Sequence, residues 1–427
     1  MKRQNLLRIA AAAVSLLLLA GCSDAALSAP ESSSQLTVSD TIAAQSSEPI
    51  SSEETSSETT SAETESELPQ PEVPKKATVT LTAVGDNLIH RPIYQQANER
   101  AGGTGYDFAY AYRNVADKIA SSDLAIYNQE TIIAPDQEPS SYPRFNSPKE
   151  LGDHMVNIGF DVASLANNHS YDMWESGLKS CLEYWSTKDI LTTGAYIDEN
   201  ALEQVSMVEV QGIKFGFVAF TDPDNGLALP QDSKLTVLQQ ENFELIERKV
   251  RQADAECDVV IVLPHWGLEY TTKYTDTQKL IAQKLADCGA DLIIGSHSHC
   301  IQPIETVTAA DGRKVPVCYS LGNFISGQTE RLRTVGGLVD ITLTYDFETQ
   351  SFTFDDIDFE PVITHYVGGC KEICNYLYRD YSAELAANHG VVTVSEEGKR
   401  LSLEYIENLV TSTIDEQYLA DGWKPNT

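Results

Sequence analysis

An α/β fold, with buried strands and helices on both faces, is what this sequence predicts. Three observations lead there. From residue 78 onwards short apolar, β-branched runs alternate with longer amphipathic stretches, which is the rhythm of βαβ units. Five of the runs end in side chains that carry chemistry, as ligand-binding strand ends do in open α/β sheets. Hydrophobic residues make up 42% of the 427, enough for a sizeable core in one large domain or two ordinary ones.

In chain order, the first residues read as an export signal. Lys2, Arg3 and Arg8 give a positive start, and 9–20 is apolar apart from Ser15. That stretch is too short to span a bilayer comfortably. It ends in Leu19-Ala20-Gly21-Cys22, which resembles the lipobox of bacterial lipoproteins. A signal peptide over 1–22 is therefore expected, with Cys22 lipidated and the chain held by that lipid on the extracytoplasmic face of the bacterial cell membrane. Residues 23–75 follow as a Ser/Thr/Glu-rich stretch with eleven acidic side chains. Such a segment cannot bury enough apolar surface to offset its chain entropy, so a disordered tether is expected.

The folded domain is expected over 76–365. Its strands are read at 79–84, 124–127, 162–165, 215–220, 259–263 and 292–294, with helices near 108–120, 148–158, 174–187, 242–255 and 275–288. After 315 the helical patterns thin out, and strands near 315–320, 337–345 and 351–358 suggest a meander that closes the sheet. The tail, 366–427, reads as an amphipathic helical extension.

The formal net charge is −33. A field of that sign repels nucleic acid and anionic membrane, so nucleic acid is excluded as a partner. Seven cysteines follow Cys22. An odd number cannot all pair within the chain. Cys257, Cys288 and Cys318 lie in or beside apolar runs and read as buried thiols. Cys370 and Cys374 are close enough in sequence to pair, but no disulfide framework is expected.

The polar residues follow the strands consistently. Val84 leads to Gly85-Asp86, and Tyr127 to Asn128-Gln129-Glu130. Leu165 leads to Ala166-Asn167-Asn168-His169, Leu263 to Pro264-His265, and Ile294 to Gly295-Ser296-His297-Ser298-His299. Taken singly, an Asp after a strand is a turn or cap and a lone His a satisfied structural residue. Five such ends on neighbouring strands would converge on one pocket. Imidazole and carboxylate without thiolate favour zinc, manganese or iron. His297 and His299 are two apart, so a straight strand would point them to opposite faces. A turn after Gly295 can bring both to one pocket. His154, His365 and His389 lack this context and read as structural or exposed.

These pieces, with Asp172, Glu269-Tyr270, Gln302-Pro303-Ile304-Glu305 and Tyr319-Ser320-Leu321-Gly322-Asn323-Phe324, resemble the CapA (PgsA) capsule synthesis family, linked to poly-γ-glutamate. The resemblance runs over roughly 78–364. It implies the calcineurin-like metallophosphatase fold, an α/β/β/α sandwich of mixed sheets flanked by helices, holding one or two divalent metal ions. On that pattern Asp86 and His299 bind the first metal, Glu130 bridges, and Asn168, His265 and His297 bind the second. His169 faces the substrate and steadies or protonates the leaving oxygen, with Asp172 as the partner that orients it. The phosphatases carry a His two residues after their first Asp, but Leu88 stands here, so the first metal loses a ligand. His90 is a possible replacement at a different spacing. Arg144 is a candidate substrate contact, since its guanidinium forks onto carboxylate or phosphate.

The resemblance implies a surface lipoprotein in biosynthesis or attachment of an anionic envelope polymer such as poly-γ-glutamate, with membrane-bound capsule synthase components as partners and a metal-dependent hydrolase-type site. Two other readings stay open: an extracellular metal-dependent phosphoesterase, and a non-catalytic polymer- or partner-binding module.

Overall fold

From Lys76 to Thr80 more exposed and buried side chains alternate, and from Leu81 to Leu88 all are buried. That is the pattern of a strand that starts at the rim of a sheet and runs into the core. The computed structural model describes residues 75–222, 225–392 and 399–425. The expected signal segment 1–22, Cys22 and all but the last residue of the 23–75 tether lie outside them. Among the described residues no helix is long and apolar enough to cross a membrane.

Sixteen strands are found among the described residues. The first eight are β1 (Lys76–Leu88), β2 (Leu124–Asn128), β3 (Val162–Ser164), β4 (Leu191–Thr193), β5 (Ala195–Tyr196), β6 (Ser206–Val210), β7 (Ile213–Thr221) and β8 (Thr236–Val237). The rest are β9 (Val259–His265), β10 (Leu292–Ile294), β11 (Ile304–Thr308), β12 (Lys314–Cys318), β13 (Asn323–Ser326), β14 (Val335–Asp346), β15 (Ser351–Val367) and β16 (Lys371–Leu377).

Two mixed sheets carry the fold. The larger has the order β16-β15-β14-β1-β2-β3-β4, with β13 added beside the end of β1; the smaller has the order β11-β12-β10-β9-β7-β6. β1 to β4 run parallel, and so do β7, β9, β10 and β12. Antiparallel strands border both parallel sets.

Side-chain alternation along β7 shows how the sheets stack. Phe215, Phe217 and Ala219 join the core cluster that holds Leu81 of β1 and Ile126 of β2. Val218 and Phe220 point the other way, into a second cluster with Ile246 and Val250 of the helix Phe243–Glu256 and Leu285 of the helix Asp276–Asp287. The two sheets thus bury one face against each other, with helices outside, an α/β/β/α sandwich. On the larger sheet the cover comes from Arg91–Arg100, Lys149–Asn157 and Trp174–Trp185, through Ile93, Leu151, Met155 and Leu178.

The expected closing meander is β14-β15-β16, a run of antiparallel neighbours. The run at 315–320 belongs elsewhere: it is β12 of the smaller sheet. The tail departs from its helical expectation. It opens with β16, because Ile373 and Cys374 are buried beside β15; helices Ala383–Asn388 and Leu403–Thr413 come only after it. The expected helix at 108–120 is broken into Ala109–Tyr112 and Ala116–Ala120, and Asn114 between them donates its side-chain amide to Asn375 O of β16 at 2.8 Å. All seven cysteines after Cys22 are free thiols, Cys370 and Cys374 included, and Cys257 is only half-buried.

Candidate metal centre

Asp86 is placed by register. On β1 it pairs with Asn128 of β2 on one side and Asn323 of β13 on the other. Its backbone N–H donates to Gly322 O at 2.8 Å, and the approach is so close that a Cβ on Gly85 would lie 1.9 Å from that oxygen. Only glycine admits this contact. The carboxylate accepts from Asn128 Nδ2 at 2.8 Å and is fully buried.

The His297–His299 loop solves the two-apart problem through its backbone. Both residues sit in the left-handed region, at φ 98° and 56°. That conformation is costly for a residue with a Cβ. It turns both imidazoles inward. His299 Nδ1 lies 3.2 Å from Asp86 Oδ2 and 3.0 Å from Asn323 Oδ1. Asn323 gives its amide N–H groups to Ser326, Gln328 and Arg333 O, so its carbonyl oxygen is the atom presented to His299. With two oxygens facing it, Nδ1 carries the proton. Nε2 is left facing Glu130 Oε1 and Glu269 Oε1, each at 3.7 Å.

A second group of donors meets around His265. Its Nε2 is 3.0 Å from Asn168 Oδ1 and 3.1 Å from His297 Nδ1, and 3.9 Å from Glu130 Oε1. Asn225 pairs with the Asn168 amide nitrogen and fixes which end points inward. His265 Nδ1 meets Ser296 Oγ at 2.9 Å. Burial holds His265 well below the ordinary imidazole value, and holds His297 at about 4, helped by neighbouring imidazoles. Both rings are therefore neutral, the form that binds a cation.

Glu130 stands between the two groups. It is fully buried, and neither carboxylate oxygen has a hydrogen-bond partner. An unpartnered buried carboxylate costs several kcal/mol in order of magnitude. Burial first, then the Asp86 charge, pushes its pKa well above the carboxylate range. Burial opposes the charged form of His299, but Glu130, Asp86 and Glu269 outweigh it and raise that group. Asp86, Glu130 and His299 bring ligand atoms within 4.8 Å of one another. The residues fit a divalent cation, because a cation is what the orphaned oxygens of Glu130 lack.

His169 and Asp172 lie at the edge of this cluster. His169 Nδ1 is 2.7 Å from Asp172 Oδ2, which also accepts the Phe145 N–H at 2.6 Å. The Phe145 ring meets His169 edge-on at 4.7 Å. Arg144, next in the chain, is exposed, with its guanidinium 5.3 Å from the Trp174 ring centroid. Among the described residues it makes no ion pair. His90 is not in the Asp86–Glu130–His299 set; its Nδ1 accepts the Gly327 N–H at 3.1 Å.

The sequence-predicted residues Asp86, Glu130, Asn168, His265, His297 and His299 are thus brought together. Four participants had no assigned role: Asn128, Ser296, Asn323 and Glu269. Each lies within two residues of a motif position or inside a quoted motif, which was the available signal. His365 and His389 are buried and bonded elsewhere, to Tyr381 Oη and Thr364 O, and His154 packs against Tyr112.

Residues 80–328 match the family described as bacterial capsule synthesis protein PGA_cap. The PGA biosynthesis protein CapA of Bacillus subtilis (strain 168) is 26% identical over 247 residues, which cover 57% of this chain and 62% of that protein. The capsule biosynthesis protein CapA of Bacillus anthracis is 26% identical over 258 residues, covering 58% and 60%. The chain therefore spans less than two thirds of the length of these relatives. Among solved structures, the 5'-nucleotidase precursor from Thermus thermophilus superposes with a TM-score of 0.43 at 16% identity, over 67% of this chain and 54% of that one. The calcineurin-like phosphoesterase YfkN from Bacillus subtilis gives 0.38 at 14%, over 67% and 90%.

Proposed function

The chain belongs to the bacterial capsule synthesis protein PGA_cap family, and we propose from that membership that it acts in the synthesis or attachment of an anionic envelope polymer of the poly-γ-glutamate kind, by metal-dependent hydrolysis or transfer at an amide or ester bond. The observation that carries the catalytic part is Glu130, a buried carboxylate with no hydrogen-bond partner set between two groups of metal-competent donors. In this reading Asp86, Glu130 and His299 would hold one ion, and Asn168, His265 and His297, with Glu130, would hold the other. Zinc, manganese and iron all suit the donor set. Such ions would supply Lewis acidity and positive charge at the reacting bond.

The chain's own groups do the rest. Asp172 accepts the Nδ1 hydrogen bond of His169 and leaves Nε2 as the atom that protonates a leaving oxygen or nitrogen. Phe145 N–H pins Asp172 from behind. Arg144 offers an exposed fork to the carboxylates of the polymer. The same His169–Asp172 pair supports a second reading, a phosphoesterase, since a leaving alkoxide needs the same proton. A pure binding module has no use for it.

Purified chain loaded with Mn²⁺ is expected to release new amino termini from poly-γ-glutamate, to lose that activity with chelator, and to lack it in an Asp86→Ala, His297→Ala double variant. Turnover of a phosphodiester with none of the polymer would move the assignment to the second reading. Full capsule formation in cells carrying the double variant would remove catalysis altogether.

Localisation is part of the same proposal. Cys22 anchors the protein to the outer face of the membrane, beside the synthase components that deliver the polymer. A Cys22→Ser chain is expected in the soluble fraction or the medium, and one that still sediments with membranes overturns the anchor.

A further inference from the structure

Leu88 stands where the resemblance calls for a ligand, and it is an apolar, buried side chain that offers a metal nothing. His90 is the other candidate: its Nδ1 accepts Gly327 N–H and its ring packs edge-on against Phe145 at 5.1 Å, which leaves only its Nε2 to offer. The loop after β9 brings a different group. Gly267 has φ 92° and Tyr270 φ 64°, so the chain curls back after His265. Tyr270 N–H then donates to Ser298 O at 2.8 Å, which ties this loop to the one that carries His297 and His299. The Tyr270 ring stacks on His299 at 5.8 Å and 28°, and the Arg333 guanidinium caps that ring 3.5 Å from its centroid.

These contacts hold Glu269 beside His299. Its Oε1 lies 3.7 Å from His299 Nε2, the same nitrogen that faces the orphaned Glu130 Oε1 at 3.7 Å. Asn323 and Asp86 occupy the other ring nitrogen, so Nε2 is the one free for a cation. The Glu269 side chain is 37% exposed, at the mouth of the cluster, where its carboxylate has room to turn.

Resting on the metal-centre reading above, we propose that Glu269 is the donor that completes the first metal position, in place of the ligand that Leu88 removes. Its charge brings the protein carboxylates at the centre to three, Asp86, Glu130 and Glu269. Two divalent ions still leave the site net positive, so it remains attractive to an anionic polymer.

The test titrates Mn²⁺ into the metal-free full-length chain and into Glu269→Ala, Glu269→Gln and His90→Ala. Free Mn²⁺ is followed by electron paramagnetic resonance and heat by calorimetry. The wild type is expected to bind two ions. Both Glu269 variants are expected to lose one of them or bind it on the order of 100-fold more weakly, as loss of a supporting group at a metal site does. His90→Ala is expected to titrate like the wild type. Circular dichroism and melting of the metal-free Glu269→Gln protein, which keeps the side chain's shape, are expected to match the wild type. Unchanged binding in both Glu269 variants overturns the assignment of Glu269 alone. Loss of the ion in His90→Ala with retention in Glu269→Gln gives the place to His90 instead. A wild type that binds no Mn²⁺ overturns the metal centre and this inference together.

Discussion

Glu130→Gln is expected to stabilise the metal-free protein while removing most of its metal affinity. The gain arises because a neutral amide replaces a fully buried carboxylate whose oxygens have no partner; the relief is about 1–3 kcal/mol. The loss arises because Glu130 stands between both groups of donors. In the wild type the order is reversed by mass action: Mn²⁺ at about 100 times its dissociation constant adds about 2.7 kcal/mol. Melting curves of both proteins, with metal and with chelator, give four values that decide the matter. A metal-free variant that melts below the metal-free wild type would show that Glu130 is satisfied in solution and would remove the physical basis of the site.

The same group sets a pH dependence. Glu130 is raised by burial and by Asp86, and His299 is raised by its carboxylate neighbours against the effect of burial. A group whose folded pKa is raised binds more protons folded than unfolded. Its contribution is fully present below the unfolded value and is lost as pH climbs through the folded one. The metal-free wild type is therefore expected to lose stability as pH rises from the ordinary carboxylate range towards and past neutrality. Glu130→Gln should flatten that slope, because it removes one raised carboxylate and the main charge that raises His299.

His169→Ala is expected to cut kcat by about 10²–10⁴ while leaving metal content unchanged. The magnitude is that of a positioned general acid. The selectivity follows from geometry, since His169 Nδ1 is bonded to Asp172 and its ring is packed on Phe145. Asp172→Asn should retain more activity than His169→Ala but shift the pH profile, because an amide cannot hold the same proton on Nδ1. If His169→Ala also strips the metal, the residue is part of the coordination shell and not the proton donor.

Much of the site could be read from local pattern because the donors follow parallel strands. A buried β-branched run announces its own end, and β1, β2, β3, β9 and β10 all deliver their carboxyl ends to the same region. What lay beyond the pattern depended on partners far away in the chain. The helix expected at 108–120 breaks where Asn114 meets Asn375 of β16, and nothing near 114 signals that contact. The tail reads as amphipathic helix because its apolar spacing is short and ambiguous, and its first segment becomes a strand only because β15 presents an open edge to it.

The linear chain by itself determined the α/β class, the order of the strand ends and the chemical identity of the donors, since side-chain periodicity and residue type are properties of a few neighbouring positions. The tertiary structure alone decided how those donors meet. It put His297 and His299 into left-handed backbone, turned the Asn323 carbonyl onto His299, left Glu130 without a partner and brought Glu269 to the mouth. Each of these outcomes is fixed by contacts between segments distant in sequence, Asp86 N–H to Gly322 O and Tyr270 N–H to Ser298 O among them. Such contacts form only when two sheets pack and their loops compete for the same space.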